Sequence, residues 1–466
     1  MTLSQQYDAI VIGSGQGGTP LSLALAQAGM RTVLLERKHV GGTCINEGCT
    51  PTKTMVASGR VAYLTRRAAD YGVDTGPIHV DLQKVRQRKR DIVDKFRNGS
   101  QARIEHTANL ELIVGDARFL GPKSIEVRMN DGSQQITSAK NIFINAGTRA
   151  SHPKLDGLNE VPFLDSTSIM ELDAVPEHLL ILGGGYIGLE FGQLFRRFGS
   201  RVTIVQSARQ LLTAEDPDIA AEIAEILRED GVTILLNAHA TCLKRSDTTI
   251  RLELHQDSKL TTLIGSHLLV ATGRVPNSDS LNLAAAGVQT NDRGFIKVND
   301  RLETTATGVY ALGDIKGGPA FTHISYDDFR IIRANLLENK AASIRNRLVP
   351  YTIFIDPQLG RIGMTETEAR AQKRNIRVAK LPMTSVARAL EVDETRGLMK
   401  AIVDNETNQI LGAAILGLEG GEVMAALEIA MMGKLPYTSL RDGVFAHPTL
   451  AEALNSLFMA IDSAKS

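Results

Sequence analysis

The chain has 466 residues, 43% apolar and 22% charged, the balance of an ordinary globular protein long enough for about three domains. Lys plus Arg equal Asp plus Glu at 52 each, so charge gives no reason to expect a nucleic-acid or membrane partner. No apolar run approaches a membrane span, and Met1 to Asp8 lacks a basic stretch followed by an apolar core, so neither a transmembrane segment nor a signal peptide is expected. Three cysteines in such a length point to the cytoplasm, with two kept for chemistry.

Ala9 to Ile12 is a short apolar run that reads as a buried parallel strand. Gly13-Ser14-Gly15-Gln16-Gly17-Gly18 follows, then an Ala- and Leu-rich helix over 21–28 and a strand over 31–35 that ends at Glu36. This is the strand, GxGxxG, helix, strand, acid order of a dinucleotide-binding βαβ unit. Gly13, Gly15 and Gly18 let the backbone approach a pyrophosphate at the helix N-terminus, and Glu36 would accept hydrogen bonds from an adenosine ribose. The plain alternative for Glu36 is a solvated carboxylate at a strand end.

Gly41 to Lys53 holds two of the three cysteines, Cys44 and Cys49, with four residues between them. That gap is too wide for a CxxC motif, and no Cys or His cluster completes a zinc site, so no metal is expected. Gly41, Gly42 and Gly48 permit the tight path that a bridge between the two thiols would need. Pro51 suits the first turn of a helix, which puts Cys49 at a helix N-terminus where the dipole stabilises a thiolate. The residues alone leave open a structural disulfide or a pair of buried thiols.

This stretch resembles the redox-active segment of the class I pyridine nucleotide-disulfide oxidoreductases, which include dihydrolipoamide dehydrogenase, glutathione reductase and mercuric reductase. Gly41 to Lys53 meets every fixed position of the family pattern GGTCxNxGCxPxK. The resemblance implies an FAD beside a Cys44–Cys49 disulfide. It implies Cys44 as the interchange thiol, Cys49 as the thiol facing the flavin, and Lys53 near the flavin's reactive nitrogen. It also puts Arg37, Gly42 and Thr43 among the cofactor contacts.

Residues 60–98 are rich in Arg and Lys and read as a solvated helix face rather than a nucleic-acid patch. A strand-rich stretch begins at Asn109, with a hairpin turn at Asn130-Asp131-Gly132. Gly115 to Phe119 resembles the family segment in which the backbone of Ala117 meets the adenine. Ile142 to Thr148 resembles the strand that closes the first FAD half, with Ala146 and Gly147 as contacts; the family more often has Ala-Thr-Gly there.

Leu179 to Leu182 opens a second unit of the same kind. Gly183, Gly185 and Gly188 form its GxGxxG, and a strand over 201–205 ends at Gln206. Gly13 to Glu36 and Gly183 to Gln206 have the same spacing, which reads as an internal duplication. Two nucleotide folds and a redox dithiol imply electron flow between two nucleotides. Gly183, Gly185 and Ile187 are expected at the second nucleotide. For Tyr186 and Glu190 the plain alternatives are packing and helix surface. The resemblance puts Tyr186 over the flavin and pairs Glu190 with Lys53. An acid at position 206 would favour NADH; Gln206 with Arg209 favours NADPH, NADH remaining possible, unless Arg209 is only a solvated loop residue.

Val270 to Asn277, with Gly273, closes the second fold. Thr305 to Asp314 returns to the flavin, where the family uses Gly313 and Asp314 at the ribityl chain; a strand-end turn is the plain alternative. Thr322 lies where the family backbone meets the isoalloxazine, and the neighbouring His323 is a ligand, an acid or a packing residue. Strands at 397–403 and 410–416 and helices at 421–432 and 449–463 follow. In the family this is the dimerisation domain.

His447-Pro448-Thr449-Leu450-Ala451-Glu452 resembles the family's HPTxxE signature. There His447 is the acid–base for Cys44 and Glu452 orients it. Thr449 to Glu452 is also a capping box, with Thr449 as N-cap. Cys242 reads as a small core residue.

The resemblance covers essentially the whole chain. It implies an α/β protein with two Rossmann-like domains, for FAD and NAD(P)H, and a C-terminal α+β dimerisation domain. The expected boundaries are 1–149 and 274–347 for FAD, 150–273 for NAD(P)H and 348–466 for dimerisation. It implies a homodimer with the active site shared across the interface, passing electrons from NADPH through FAD to Cys44–Cys49 and on to an electrophilic sulfur or metal substrate. Residues 321–330 and 435–442 look most like the mercuric-reductase-like branch, which includes reactive-chlorine-inducible flavoprotein reductases. A mercuric reductase usually ends in a cysteine pair; Phe458 to Ser466 contains none, which argues against efficient mercury reduction. A dihydrolipoamide dehydrogenase or glutathione-type reductase is the alternative enzyme, and a redox-sensing flavoprotein the alternative outside catalysis.

Overall fold

The computed structural model describes residues 4–257 and 259–463; the expectations read from residues 1–3 and 464–466 lie outside them. The chain divides into two compact units. One comprises the chain up to Met55, Lys84–Ser151 and Gly273–Arg347; the other comprises Val56–Gln83, His152–Thr272 and the chain from Leu348.

In the first unit, five strands run parallel in the order Leu110–Gly121, Thr32–Glu36, Ser4–Ile12, Gln134–Ile144, Val309–Ala311. Ser124–Met129 pairs antiparallel with the outer parts of Leu110–Gly121 and Gln134–Ile144, and Asn130 to Gly132 lies in the turn that follows it. The sheet buries both faces, which is why its strands read as unbroken apolar runs. Ala9, Val11, Leu34 and Phe143 pack on one side with Leu21 and Leu25 of the helix Gly18–Gln27. The alternate residues Ile10, Ile12, Val33, Leu35, Ile142 and Ile144 fill the other side with Phe119, Ile125 and Val127. The helix begins directly after the glycine turn, three residues before the expected start.

Two helices carry the basic stretch, Cys49–Arg66 and Leu82–Glu105. Arg88 and Arg90 are exposed, but Lys89 is only 3% exposed, so the solvated-face expectation fails at that residue.

In the second unit, the strands His267–Val270, His178–Leu182, Arg201–Val205 and Val232–Leu235 form a parallel sheet in that order. The helix Tyr186–Phe198 follows the second glycine turn. A separate antiparallel meander is made by Ala238–Ser246, Thr249–Gln256 and Lys259–Gly265. Cys242 sits at a bulge in the first of these strands and is half-buried rather than a core residue, because the bulge turns it off the buried face.

The same unit contains a five-stranded antiparallel sheet, in the order Tyr351–Ile353, Gln358–Gly363, Ile410–Gly417, Leu398–Asp404, Ile376–Pro382. Helices Gly420–Met432 and Ala453–Ser463 cover it through Val423, Met424, Leu427, Leu454, Leu457 and Phe458. Ile429, Met432, Val444 and Met459 stay exposed.

Candidate active site

The first glycine turn is fastened to the end of the next strand. Glu36 Oε2 accepts the amide of Ser14 at 3.0 Å and its hydroxyl at 2.5 Å, while Oε1 accepts the amide of Lys38 at 2.9 Å. The carboxylate is thus held beside the turn rather than left loose in solvent. Gly42 packs on the same turn: a Cβ there would lie 2.6 Å from Gly15 Cα. Gly13, Gly15 and Gly42 therefore build a cradle of bare backbone. Arg37 and Thr43 are exposed, and Ala117 lies half-buried on its strand opposite Val127.

Ala146 and Gly147 leave the end of the strand Gln134–Ile144, and Asn277 holds both: its side-chain amide donates to Ala146 O at 2.8 Å and its backbone N–H to Gly147 O at 3.0 Å. Asp314 Oδ2 accepts the Thr148 hydroxyl at 3.1 Å, and that hydroxyl accepts Arg274 Nε at 2.8 Å. A relay of Arg274, Thr148 and Asp314 thus fixes one carboxylate oxygen. Gly313, just before Asp314, starts a short 3-10 turn, and Gly273 has φ +128°, where a side chain would be strained.

Cys44 lies in the short helix Gly42–Asn46, and Cys49 is the first residue of the helix Cys49–Arg66. Both are free thiols. The hydrogen bond between them pushes the Cys44 thiol far up from its ordinary value, and burial and the charge on Cys49 add to the shift; the Thr322 hydroxyl and the Lys53 charge oppose it. The Cys44 proton is thus held in place, while Cys49 sits at a helix N-terminus, a position that favours a thiolate. Thr322 Oγ1 lies 3.4 Å from Cys49 Sγ. Lys53 sits one turn along the same helix. His323 is exposed, with its ring stacked on Phe321 at 5.5 Å between centroids.

The second glycine turn repeats the first with an amide in place of the acid. Gln206 Oε1 accepts the Gly184 amide at 3.2 Å, as Glu36 accepts that of Ser14, and Gln206 Nε2 donates to Gln210 O at 3.2 Å. Gly183 and Gly185 flank this contact. Arg209 is exposed and makes no ion pair among the described residues. Tyr186 opens the helix and is 37% exposed, and Ile187 is half-buried. Glu190 is buried, and its Oε1 accepts the Phe354 amide at 2.9 Å. Lys53 and Glu190 belong to different units.

His447 Nδ1 lies 3.0 Å from both carboxylate oxygens of Glu452. The backbone N–H of Glu452 meanwhile donates to the Thr449 hydroxyl at 3.3 Å. Only half of the capping box forms, because the carboxylate that would close it is on the imidazole, and the helix starts at Ala453 instead of Thr449. His447 is exposed, so its other ring nitrogen is accessible.

Asn145, Thr148, Arg274 and Asn277 also shape these sites, although sequence reasoning gave none of them a role. The one signal was at Asn145-Ala146-Gly147, where the chain departs from the more usual Ala-Thr-Gly.

Residues 7–328 match the family model described as pyridine nucleotide-disulphide oxidoreductase, and residues 349–458 match the dimerisation domain of the same family. The chain belongs to the pyridine nucleotide-disulphide oxidoreductase family. It is 40% identical to the probable pyridine nucleotide-disulfide oxidoreductase RclA of Escherichia coli, over 98% of this chain and 99% of that protein. It is 33% identical to a mercuric reductase of Bacillus cereus, over 98% of this chain and 72% of that one. The solved Cu(II) complex of the HOCl-induced flavoprotein disulfide reductase RclA from Escherichia coli superposes with a TM-score of 0.90 at 39% identity, over 98% of this chain and 99% of that one.

As a pyridine nucleotide-disulphide oxidoreductase the protein is an enzyme, with FAD and NAD(P)H as cofactors and an α/β fold of two Rossmann-like domains followed by a dimerisation domain. The bare backbone around Gly13, Gly15 and Gly42 and the anchored carboxylate of Glu36 fit a dinucleotide such as FAD. No helix among the described residues is long and apolar enough to cross a membrane, and no group of three or more His, Cys, Asp or Glu among them could hold a metal ion.

If Cys49 holds the Cys44 proton in place, Cys49→Ser lowers the Cys44 pKa toward the ordinary thiol value of about 8.5. Ultraviolet titration of the reduced protein measures this. A Cys44 that titrates at the same high pH in the variant would mean that burial alone sets its pKa.

Proposed function

We propose that this enzyme uses NADPH to reduce an electrophilic sulfur compound or a metal ion through Cys44 and Cys49. The observation that carries the reading is the placement of the thiols: Cys49 opens a long helix 3.4 Å from the Thr322 hydroxyl, and its hydrogen bond holds the proton on Cys44. FAD would be held by Gly13, Gly15, Gly18, Glu36, Arg37, Gly42, Thr43, Lys53, Ala117, Ala146, Gly147, Gly313, Asp314 and the Thr322 backbone, and when bound it supplies the electron pair of the nicotinamide to the cysteine pair. NADPH would lie on Gly183, Gly185, Tyr186, Ile187, Gln206, Arg209 and Gly273. Glu190 would pair with Lys53. The domains would divide at 149/150, 273/274 and 347/348.

With a disulfide as substrate, His447 takes the Cys44 proton as the Cys44 sulfur attacks one substrate sulfur, and returns it to the other, which leaves as a thiol. Cys49 then displaces the first as a thiolate, and the Cys44–Cys49 disulfide remains. Two electrons leave the dithiol, one S–S bond breaks and one forms. Glu452, on Nδ1, would orient the imidazole for this transfer. A dithiol that must be kept reduced suits the cytoplasm.

The RclA and mercuric-reductase likenesses favour an electrophile or a metal ion over a lipoyl or glutathione substrate. Steady-state turnover with NADPH tests this against hypothiocyanous acid, mercuric ion, cupric ion, glutathione disulfide and, in the reverse direction with NADP+ or NAD+, dihydrolipoamide. One of the first three should exceed the last two at least tenfold in kcat/KM. The opposite order would make the chain a dihydrolipoamide or glutathione-type enzyme. If NAD(P)H failed to reduce the flavin, a redox-sensing role would stand in its place.

Nicotinamide choice is set where Gln206 replaces an acid. The amide puts no negative charge against a 2′-phosphate, and Arg209 is free to pair with it. kcat/KM should be higher with NADPH than with NADH, and Gln206→Glu should lower the NADPH:NADH ratio about tenfold or more, which is about 1.4 kcal/mol. Equal or better kcat/KM of the native enzyme with NADH would sink the assignment.

The exposed Ile429, Met432 and Val444 lie in the region matched by the dimerisation domain, with exposed Met459 just beyond it, and burying them is the natural use of that surface. In a two-fold dimer we expect each active site to take Cys44 and Cys49 from one subunit and His447 from the other. Cys44→Ser and His447→Ala homodimers should then each lose most activity, and subunit exchange between them should restore it, since one site of each heterodimer is intact. Heterodimers with differential tags that form without regaining turnover would show that His447 does not act across the interface.

A further inference from the structure

The glycines of the flavin-side turns surround one side chain. A Cβ at Gly15, Gly17, Gly18 or Gly313 would lie 3.1, 3.3, 3.0 or 2.7 Å from the amide atoms of Asn145. Asn145 is 7% exposed. Its backbone N–H donates to Ile12 O at 2.7 Å, which fixes it against the end of the first strand. Its Oδ1 accepts the Gly18 amide at 2.8 Å, and its Nδ2 donates to Leu312 O at 2.9 Å. One arm therefore reaches the glycine turn and the other reaches the residue before Gly313 and Asp314.

We propose that Asn145 is a positioning residue for FAD, setting the separation between the turn that meets the pyrophosphate and the turn that meets the ribityl chain. This rests on the reading of those turns as the FAD site. Three points support it. The two partners of the amide are of opposite kind, a donor and an acceptor, so only one orientation of the amide satisfies both, and the side chain acts as a strut of fixed length. Both partners lie on segments that emerge from the carboxyl ends of parallel strands, Ser4–Ile12 with its glycine turn and Val309–Ala311 with Leu312, at the edge where α/β sheets bind ligands. The side chain is buried, so solvent does not replace either bond when it is lost.

The two substitutions act differently. Asn145→Ala removes both bonds and leaves a buried N–H and a buried carbonyl unpaired. Asn145→Asp keeps an acceptor for Gly18 but sets an oxygen against Leu312 O, and adds a negative charge beside the turn that faces the phosphates. FAD is removed from the holoenzyme, and rebinding is followed by flavin fluorescence, with ADP as a competitor for the same site. FAD spans both turns; ADP touches only the pyrophosphate side. The FAD Kd should rise at least tenfold in Asn145→Ala and further in Asn145→Asp, while the ADP inhibition constant in Asn145→Ala stays within about twofold of the native value. Asn145→Ser, which can satisfy only one partner, should fall between native and Ala, and it carries the same comparison if the Ala variant does not fold. An unchanged FAD Kd overturns the proposal. So does an ADP constant that rises in step with that of FAD, which would mean general loosening rather than a lost separation. A native protein that binds no FAD would instead overturn the reading of the site itself.

Discussion

No side chain fits at Gly18 or at Gly188. A Cβ at the first would lie 2.0 Å from Gly13 O, and at the second 2.1 Å from Gly183 O. The two nucleotide folds share this constraint: the helix must start so close to the strand end that backbone meets backbone. That contact aims the first N–H groups of the helix over the carboxyl ends of the strands, where an anionic ligand can use them. It also brings the next strand end within reach of the turn, so Glu36 holds Ser14 and Gln206 holds Gly184 in matching positions. The equal spacing of the two motifs is the trace of that shared geometry.

The redox pair depends on the same unit in another way. Cys49 begins a long helix, and Cys44 lies in a short one that packs against the first glycine turn through Gly42. The two thiols are hydrogen-bonded, and this bond, with burial, holds the proton on Cys44 against the pull of the Thr322 hydroxyl and the Lys53 charge. A Cys44 thiol held this way reacts only once a base takes its proton. His447 lies in the other unit, exposed and with its Nδ1 on Glu452.

Around these groups, buried and half-buried polar side chains hydrogen-bond the turns. Asn145, Asn277, and Thr148 with Arg274 all place hydrogen bonds on the segments that follow strand ends. Such bonds matter more than their number suggests, because an unpaired buried amide or carbonyl is costly and the segments have few other ways to satisfy theirs.

The sequence by itself determined the strand–turn–helix order, the duplication, the redox motif and the family, because each depends on local patterns: apolar runs, glycine spacing and a thirteen-residue signature that any member must keep. It placed the strands Arg201–Val205 and Ile410–Gly417 to within a residue, since their boundaries are marked by polar neighbours. Only the tertiary structure decided where long-range partners compete. The Thr449-to-Glu452 stretch reads as a cap from its residues and as a His–Glu pair from the resemblance, and what separates the two is where the Glu452 carboxylate goes. Lys89 reads as solvated but is buried, and Cys242 reads as buried but sits on a bulge. Asn145 gave no periodic signal at all. Its side-chain bonds are to segments more than a hundred residues away in sequence that meet at one end of a sheet, and nothing local records such a meeting.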